Sequence, residues 1–176
     1  MANKQALRDL QTRLAERLQQ VRVEQRGQSW LAVDTGGHDM LVPLQHAGEI
    51  FDPSTVVPVP HTQPWMSGVV NLRGGVFTVV DLAQFLGVRA SDDAVRREGA
   101  RLLSFNATLG VNVALLVDRL LGLRHAADMQ PDDESNDNLA RPAFAAARWR
   151  DAAGRTWQEI SLTELALTPE FLAIGA

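Results

Sequence analysis

Across residues 29–160 the chain is cut by glycine and proline into apolar runs of about five to seven residues, and this spacing constrains the fold more than any other feature. Runs this short are strands rather than helices, which need ten residues or more. SWLAVDT and HDMLVPL flank Gly36-Gly37, a glycine turn suited to a hairpin. HAGEIF follows as a further extended run, and WMSGVVNL and VFTVV meet at Arg73, Gly74 and Gly75. Their inside/outside alternation is weak because both faces are apolar, as in strands covered on two sides. RLLSFN and VNVALLVD, joined by ATLG, and then ARPAFAAARWR and GRTWQEISL, supply the remaining strand candidates. Strands do not alternate with long helices, so a doubly wound sheet is disfavoured. The expected class is mainly β, built from small closed or half-closed barrels.

Helices are expected at the ends. In KQALRDLQTRLAERLQQVR the residues Leu7, Leu10, Leu14, Leu18 and Val21 form one apolar stripe on a polar cylinder, with Gly27 as its stop. Such a stripe packs on the protein's own core or is offered to a partner. DLAQFLG reads as one helical turn capped by Asp81, with Gln84 at the capping-box position and Gly87 closing it. Ser161 and Glu164 form a second capping box before a C-terminal helix, and Pro169 opens a further turn. DPSTVVPVPHTQPW, with its four prolines, is expected as an ordered loop or edge. RASDDAVRREGA and DMQPDDESNDN read as charged, solvated connections. Two segments result: an amphipathic helix over 1–26 and one β domain over 27–176.

Composition removes several function classes. With no cysteine among 176 residues there is no disulfide framework and no thiolate metal site. The net charge of −4 argues against nucleic acid as main partner. Residues 1–26 carry six basic and three acidic side chains, leaving 11 against 18 in the rest. The opening MANKQALRDL has no apolar h-region and no run is long enough to span a membrane, so a soluble intracellular protein is expected. The four histidines are scattered without metal-ligand spacing, and Arg73-Gly74-Gly75 lacks the lysine and following helix of a phosphate loop. No catalytic, cofactor or metal residues are assigned. Asp81 and Asp118 end two apolar runs and could form an acid pair, although capping is the simpler role. Of the four tryptophans, Trp65, set among prolines, is the one expected to be partly exposed at an interface.

These motifs resemble the CheW-type coupling proteins of bacterial chemosensory systems. WMSGVVNLRGGVFTVVDLAQFLG, residues 65–87, is similar to that family's G-V-x-N-L-R-G stretch with its following strand and D-L ending. ALLVDRLLGL is similar to its second signature, and Glu49-Ile50 to the E-I that ends its opening strands. Gly75, Thr78 and Ser161 depart from the family's usual residues. The leading helix, Trp30 and Trp65 resemble the variant found in type IV pilus (twitching) systems. The resemblance implies two small five-stranded barrel-like subdomains sharing a core, with an N-terminal amphipathic helix and a short C-terminal helix. It implies no catalysis and no cofactor. The implied role is adaptor, binding the regulatory domain of a CheA-type histidine kinase and the cytoplasmic hairpin tip of a chemoreceptor. Location would be cytoplasmic, at polar receptor arrays, touching the membrane only through receptors.

The site residues implied by motif position are Asn71, Arg73 and Gly74, with Glu49 as the partner of Arg73. An arginine at a strand joint is expected to be partly desolvated and to need such a carboxylate. Val42, Leu44, Ala47 and Ile50 are candidates for an apolar groove wall, with ordinary core as the alternative. Two rival functions remain open at this point. One is a ligand-binding barrel or enzyme using Asp81 and Asp118, and the other a module self-associating through the leading helix.

Overall fold

The computed structural model describes residues 27–53, 56–89, 98–132 and 141–176, so the expected leading helix lies outside the described residues. Eleven strands among the described residues form two sheets. The first sheet contains β1 (Ser29–Thr35), β2 (His38–Pro43), β8 (Arg119–His125), β9 (Met129–Pro131), β10 (Ala145–Asp151) and β11 (Thr156–Ile160), in the order β8-β1-β2-β11-β10-β9. The second contains β3 (Ala47–Phe51), β4 (Met66–Leu72), β5 (Gly75–Asp81), β6 (Arg101–Phe105) and β7 (Val113–Val117), in the order β3-β6-β7-β5-β4. Pairing is antiparallel except for β2 with β11 and β5 with β7. The Gly36-Gly37 hairpin forms as expected, both glycines having positive φ.

Both sheets curl until their edges meet. In the first, Trp30 of β1 and Trp149 of β10 approach to 4.8 Å between ring centroids although two strands separate them. A cluster of Trp30, Ala32, Leu41, Met129, Trp149 and Trp157 fills that interior. In the second, Val70, Leu72, Val79, Leu102, Ala114 and Leu116 do the same, with Phe51 of edge strand β3 packed among them. The opposite faces of the strands meet in a shared core that includes Leu31, Val33, Val42, Leu103, Leu115 and Val117. The period of two is therefore intact, but alternate residues enter two different cores. Each fully buried leucine there contributes about 1.5–3 kcal/mol.

The subdomains hold six and five strands, the sixth being the three-residue β9. Met129–Pro131 thus corrects the reading of DMQPDDESNDN as wholly loop; Met129 supplies an apolar anchor under the tryptophans. Strand β8 was not anticipated, since RLLGLRH alternates poorly and carries three exposed residues beyond Leu121. Helix α1 (Leu82–Phe85) is capped by Asp81, which accepts from the Gln84 N–H. Helix α2 (Leu162–Leu167) is capped by Ser161, and α3 (Pro169–Leu172) opens on its proline. Both place apolar residues, Leu162, Leu165 and Phe171, in the shared core. No helix among the described residues is long and apolar enough to cross a membrane.

Candidate functional site

The β4–β5 hairpin closes through the pair Leu72 and Gly75, leaving Arg73 and Gly74 as a two-residue loop. Both have positive φ, 50° and 87°, the requirement of a type I′ turn. Gly74 meets it without steric cost. Asn71 braces the loop, its Oδ1 accepting from the Gly74 N–H at 2.9 Å. Arg73 holds a conformation that side chains other than asparagine and aspartate seldom adopt. Gly75 belongs to the strand rather than the bend.

Arg73 reaches from this hairpin to the opposite edge of the curled sheet, where its Nη2 lies 2.8 Å from Glu49 Oε2. Glu49 is aimed outward by an irregularity in β3 between Ala47 and Ile50. There the Glu49 N–H donates to Ser104 Oγ at 2.9 Å. Gly48 permits this approach, since a Cβ on it would stand 2.5 Å from Ser104 Oγ and 2.9 Å from the Phe105 carbonyl oxygen. The pair is solvent-facing: the side chains are 75% exposed for Arg73 and 52% for Glu49. This corrects the expectation of a partly desolvated arginine; the two-residue loop projects it beyond the sheet's rim. The pair's contribution to stability is accordingly about 0–1 kcal/mol.

The apolar candidates divide. Ile50 is 45% exposed and Leu44 38% exposed, so both can be touched by a partner. Val42 is fully buried in the shared core and Ala47 is nearly so; β2 and the start of β3 turn these side chains inward. Trp65 is half-buried at the other end of β4 from Arg73. It packs edge-on against Phe85 at 5.3 Å and parallel to Phe171 at 6.2 Å. The structure therefore gathers Glu49, Ile50, Asn71, Arg73 and Gly74, and sets Trp65 apart.

A second polar cluster lies inside the molecule. Arg89 donates from Nη1 to Asp81 Oδ2 at 2.9 Å and from Nη2 to both oxygens of Asp118. All three side chains are buried or nearly so. Asp81 ends β5 of one sheet, whereas Asp118 joins β7 to β8, where the chain passes from one sheet to the other. Asp118 also accepts from the Gly36 N–H at 2.8 Å, tying in the β1–β2 hairpin. Burial alone would lower the Arg89 pKa, but the hydrogen bonds and charges of both carboxylates outweigh it and hold it above its ordinary value. Asp81 does cap α1, and both aspartates are engaged by one arginine rather than poised as an acid pair. Arg89, assigned by sequence to a solvated connection, is the residue that reading missed. Its available signal was a single arginine two residues beyond Gly87, in a chain with two aspartates ending apolar strands. Ser104 and Gly48 carried no such signal.

Two curled sheets around one shared core, with an ion pair displayed on a hairpin, define a mainly β domain of two barrel-like halves. The chain belongs to the CheW-like domain family, whose model matches residues 29–168. It is 31% identical over 100 residues to Protein PilI of Pseudomonas aeruginosa, covering 56% of this chain and 54% of that protein. It is 32% identical over 83 residues to the chemotaxis protein CheW of Thermotoga maritima, covering 47% and 52% of the two chains. The chain thus spans about half the length of these curated relatives. In three dimensions it resembles the scaffolding protein TtCheW of Thermoanaerobacter tengcongensis, with a TM-score of 0.66 at 15% identity over 84% of this chain and 97% of that one. That likeness speaks for the fold.

Proposed function

We propose that the protein is a non-catalytic adaptor that couples chemoreceptors to a CheA-type histidine kinase in a type IV pilus (twitching) chemosensory system. The observation that carries this reading is the exposed Arg73–Glu49 pair on a conformationally constrained hairpin, beside exposed Ile50. A pair worth so little to stability has no folding reason to occupy a strained loop, and such strain concentrates at functional positions. Likeness to a twitching-system protein and to chemotaxis CheW proteins supports the same reading. The partners are the kinase regulatory domain and the receptor's cytoplasmic hairpin tip. The protein works in the cytoplasm at membrane-associated, polar receptor arrays. Coupling is allosteric: receptor state alters kinase activity through contacts held in fixed relation by the scaffold.

The test is co-purification of the intact chain with the kinase and receptors encoded alongside it. Arg73→Glu should weaken capture of at least one partner by tenfold or more, about 1.4 kcal/mol. Adding Glu49→Arg should restore part of it, because the pair is re-formed with reversed polarity. Undiminished capture of both partners by Arg73→Glu would remove Arg73 from the interface.

A further inference from the structure

A second ion pair stands on the far side of the exposed Ile50 from Arg73 and Glu49. The register that sets Ile50 opposite Leu103 and Phe51 opposite Leu102 brings Asp52, which follows β3, beside Arg101 at the start of β6. Arg101 Nε lies 3.5 Å from Asp52 Oδ1, beyond ordinary hydrogen-bond length. Exposed arginines elsewhere in the chain pair more closely: Arg119 Nη2 donates to Asp34 Oδ2 at 2.7 Å. The looseness therefore belongs to this pair.

Its two members are held differently. Arg101 is tethered, its Nη1 donating to the Ala100 carbonyl oxygen at 2.7 Å, and its side chain is 39% exposed. Asp52 is 77% exposed. The guanidinium is thus placed and partly dehydrated, whereas its carboxylate stays in water. A guanidinium presents its N–H groups as a planar fork matched to a carboxylate, and its weak hydration makes dehydration cheap. On the other side of Ile50, Arg73 is a cation with its backbone set by the turn and a hydrated counter-ion, Glu49. Glu49 and Asp52 are about 10 Å apart along the strand.

We infer that Arg73 and Arg101 form a two-point recognition site for an acidic partner segment, in which two carboxylates flank an apolar side chain seated on Ile50. The partner's carboxylates take the places of Glu49 and Asp52, which return to water. Arg101 decides the sign of the charge. A basic segment would have to order and dehydrate the exposed Asp52 beside a fixed cation that repels it, whereas an acidic one meets a guanidinium already in place. Covering Ile50 removes apolar surface from water at the centre of the site. This inference rests on the adaptor reading and adds to it a second arginine and the charge pattern of the surface that is bound.

Co-purification of the intact chain with the kinase and receptors encoded alongside it provides the test. Arg101→Glu should weaken capture of the same partner that Arg73→Glu weakens, by about tenfold or more. Asp52→Asn removes the competing counter-charge and should strengthen that capture about twofold. It decides the matter even if Arg101→Glu melts early, because it reverses no charge. Capture weakened by Asp52→Asn would make the carboxylate the contact and overturn the inference. Full capture by Arg101→Glu, with capture by Arg73→Glu reduced, would overturn it and leave the adaptor reading standing. Capture of neither partner by the parent chain would overturn that reading and this inference with it.

Discussion

Replacing Arg89 by methionine tests the inner cluster most severely. Methionine keeps most of the apolar stem and removes only the guanidinium. The variant then holds Asp81, fully buried, and Asp118, nearly so, without the cation both face. Each keeps other donors: Gln84 N–H for Asp81, and the Gly36 N–H for Asp118. Those donors remain, but two carboxylates of like charge then share a desolvated site, and breaking a buried pair from one side costs about 3–5 kcal/mol. For a chain of this size that is a fall of roughly 10–15 °C in Tm. Urea unfolding followed by far-ultraviolet circular dichroism should show the loss as a lower midpoint at unchanged slope. Combining Arg89→Met with Asp81→Asn and Asp118→Asn should recover at least half of it, since asparagine still caps α1 and carries no charge. A single variant within about 1 kcal/mol of the parent, or asparagines that only deepen the loss, would refute the assignment of charge balance to this cluster.

Two further perturbations probe the frame around the exposed pair and the outer tryptophan layer. Gly48→Ala should lower the urea midpoint by an amount equivalent to about 1–3 kcal/mol, because the new Cβ meets Ser104 and the Phe105 carbonyl; an unchanged midpoint would show that β3 moves aside freely. Asp151 accepts from the Arg155 and Ala153 N–H groups and from the Trp157 indole, and the first of these leads in depressing its pKa. A depressed carboxyl stabilises the fold above its ordinary range and loses that contribution as pH falls through it. The stability gap between parent and Asp151→Asn, read by thermal melts, should therefore be open at about pH 7 and narrow towards about pH 3; a gap independent of pH would remove the carboxylate charge from the account.

Most of the strands were legible because short apolar runs with glycine punctuation leave few alternatives. WMSGVVNL and VFTVV are the clear case, and the Arg73 hairpin between them formed where the residues indicated. What remained hidden depends on curvature. Whether Val42 faces a groove or the core cannot be read from β2, since curling buries both faces of the strand. The same curl puts β3 beside the β4–β5 hairpin, so the exposure of Arg73 and Glu49 follows from closure of the sheet rather than from either residue's neighbours. Strand β8 was obscured by its own exposure, since a strand with few buried positions offers little periodicity to read. Arg89 lay in a charged run, where one inward-facing cation looks like any other.

The two arginine sites show the same chemistry in opposite settings, and under the proposed adaptor role the contrast separates a pair for display from a pair for structure. At Arg73 the ions are hydrated and weakly coupled, so a partner can replace Glu49 as the counter-charge at little cost. At Arg89 one carboxylate ends β5 and the other stands in the crossing from β7 to β8, and exchange of either partner would strand a buried charge. Asp118 lies at a crossing between the sheets and also anchors the Gly36 turn, so the cluster ties the end of β5 to the β1–β2 hairpin of the other sheet. Coupling through a scaffold requires that a displacement at one surface reach another without being absorbed between them. In the proposed adaptor role, the buried cluster would supply that stiffness at the junction, while the exposed pair would leave the contacting surface free to exchange its partner.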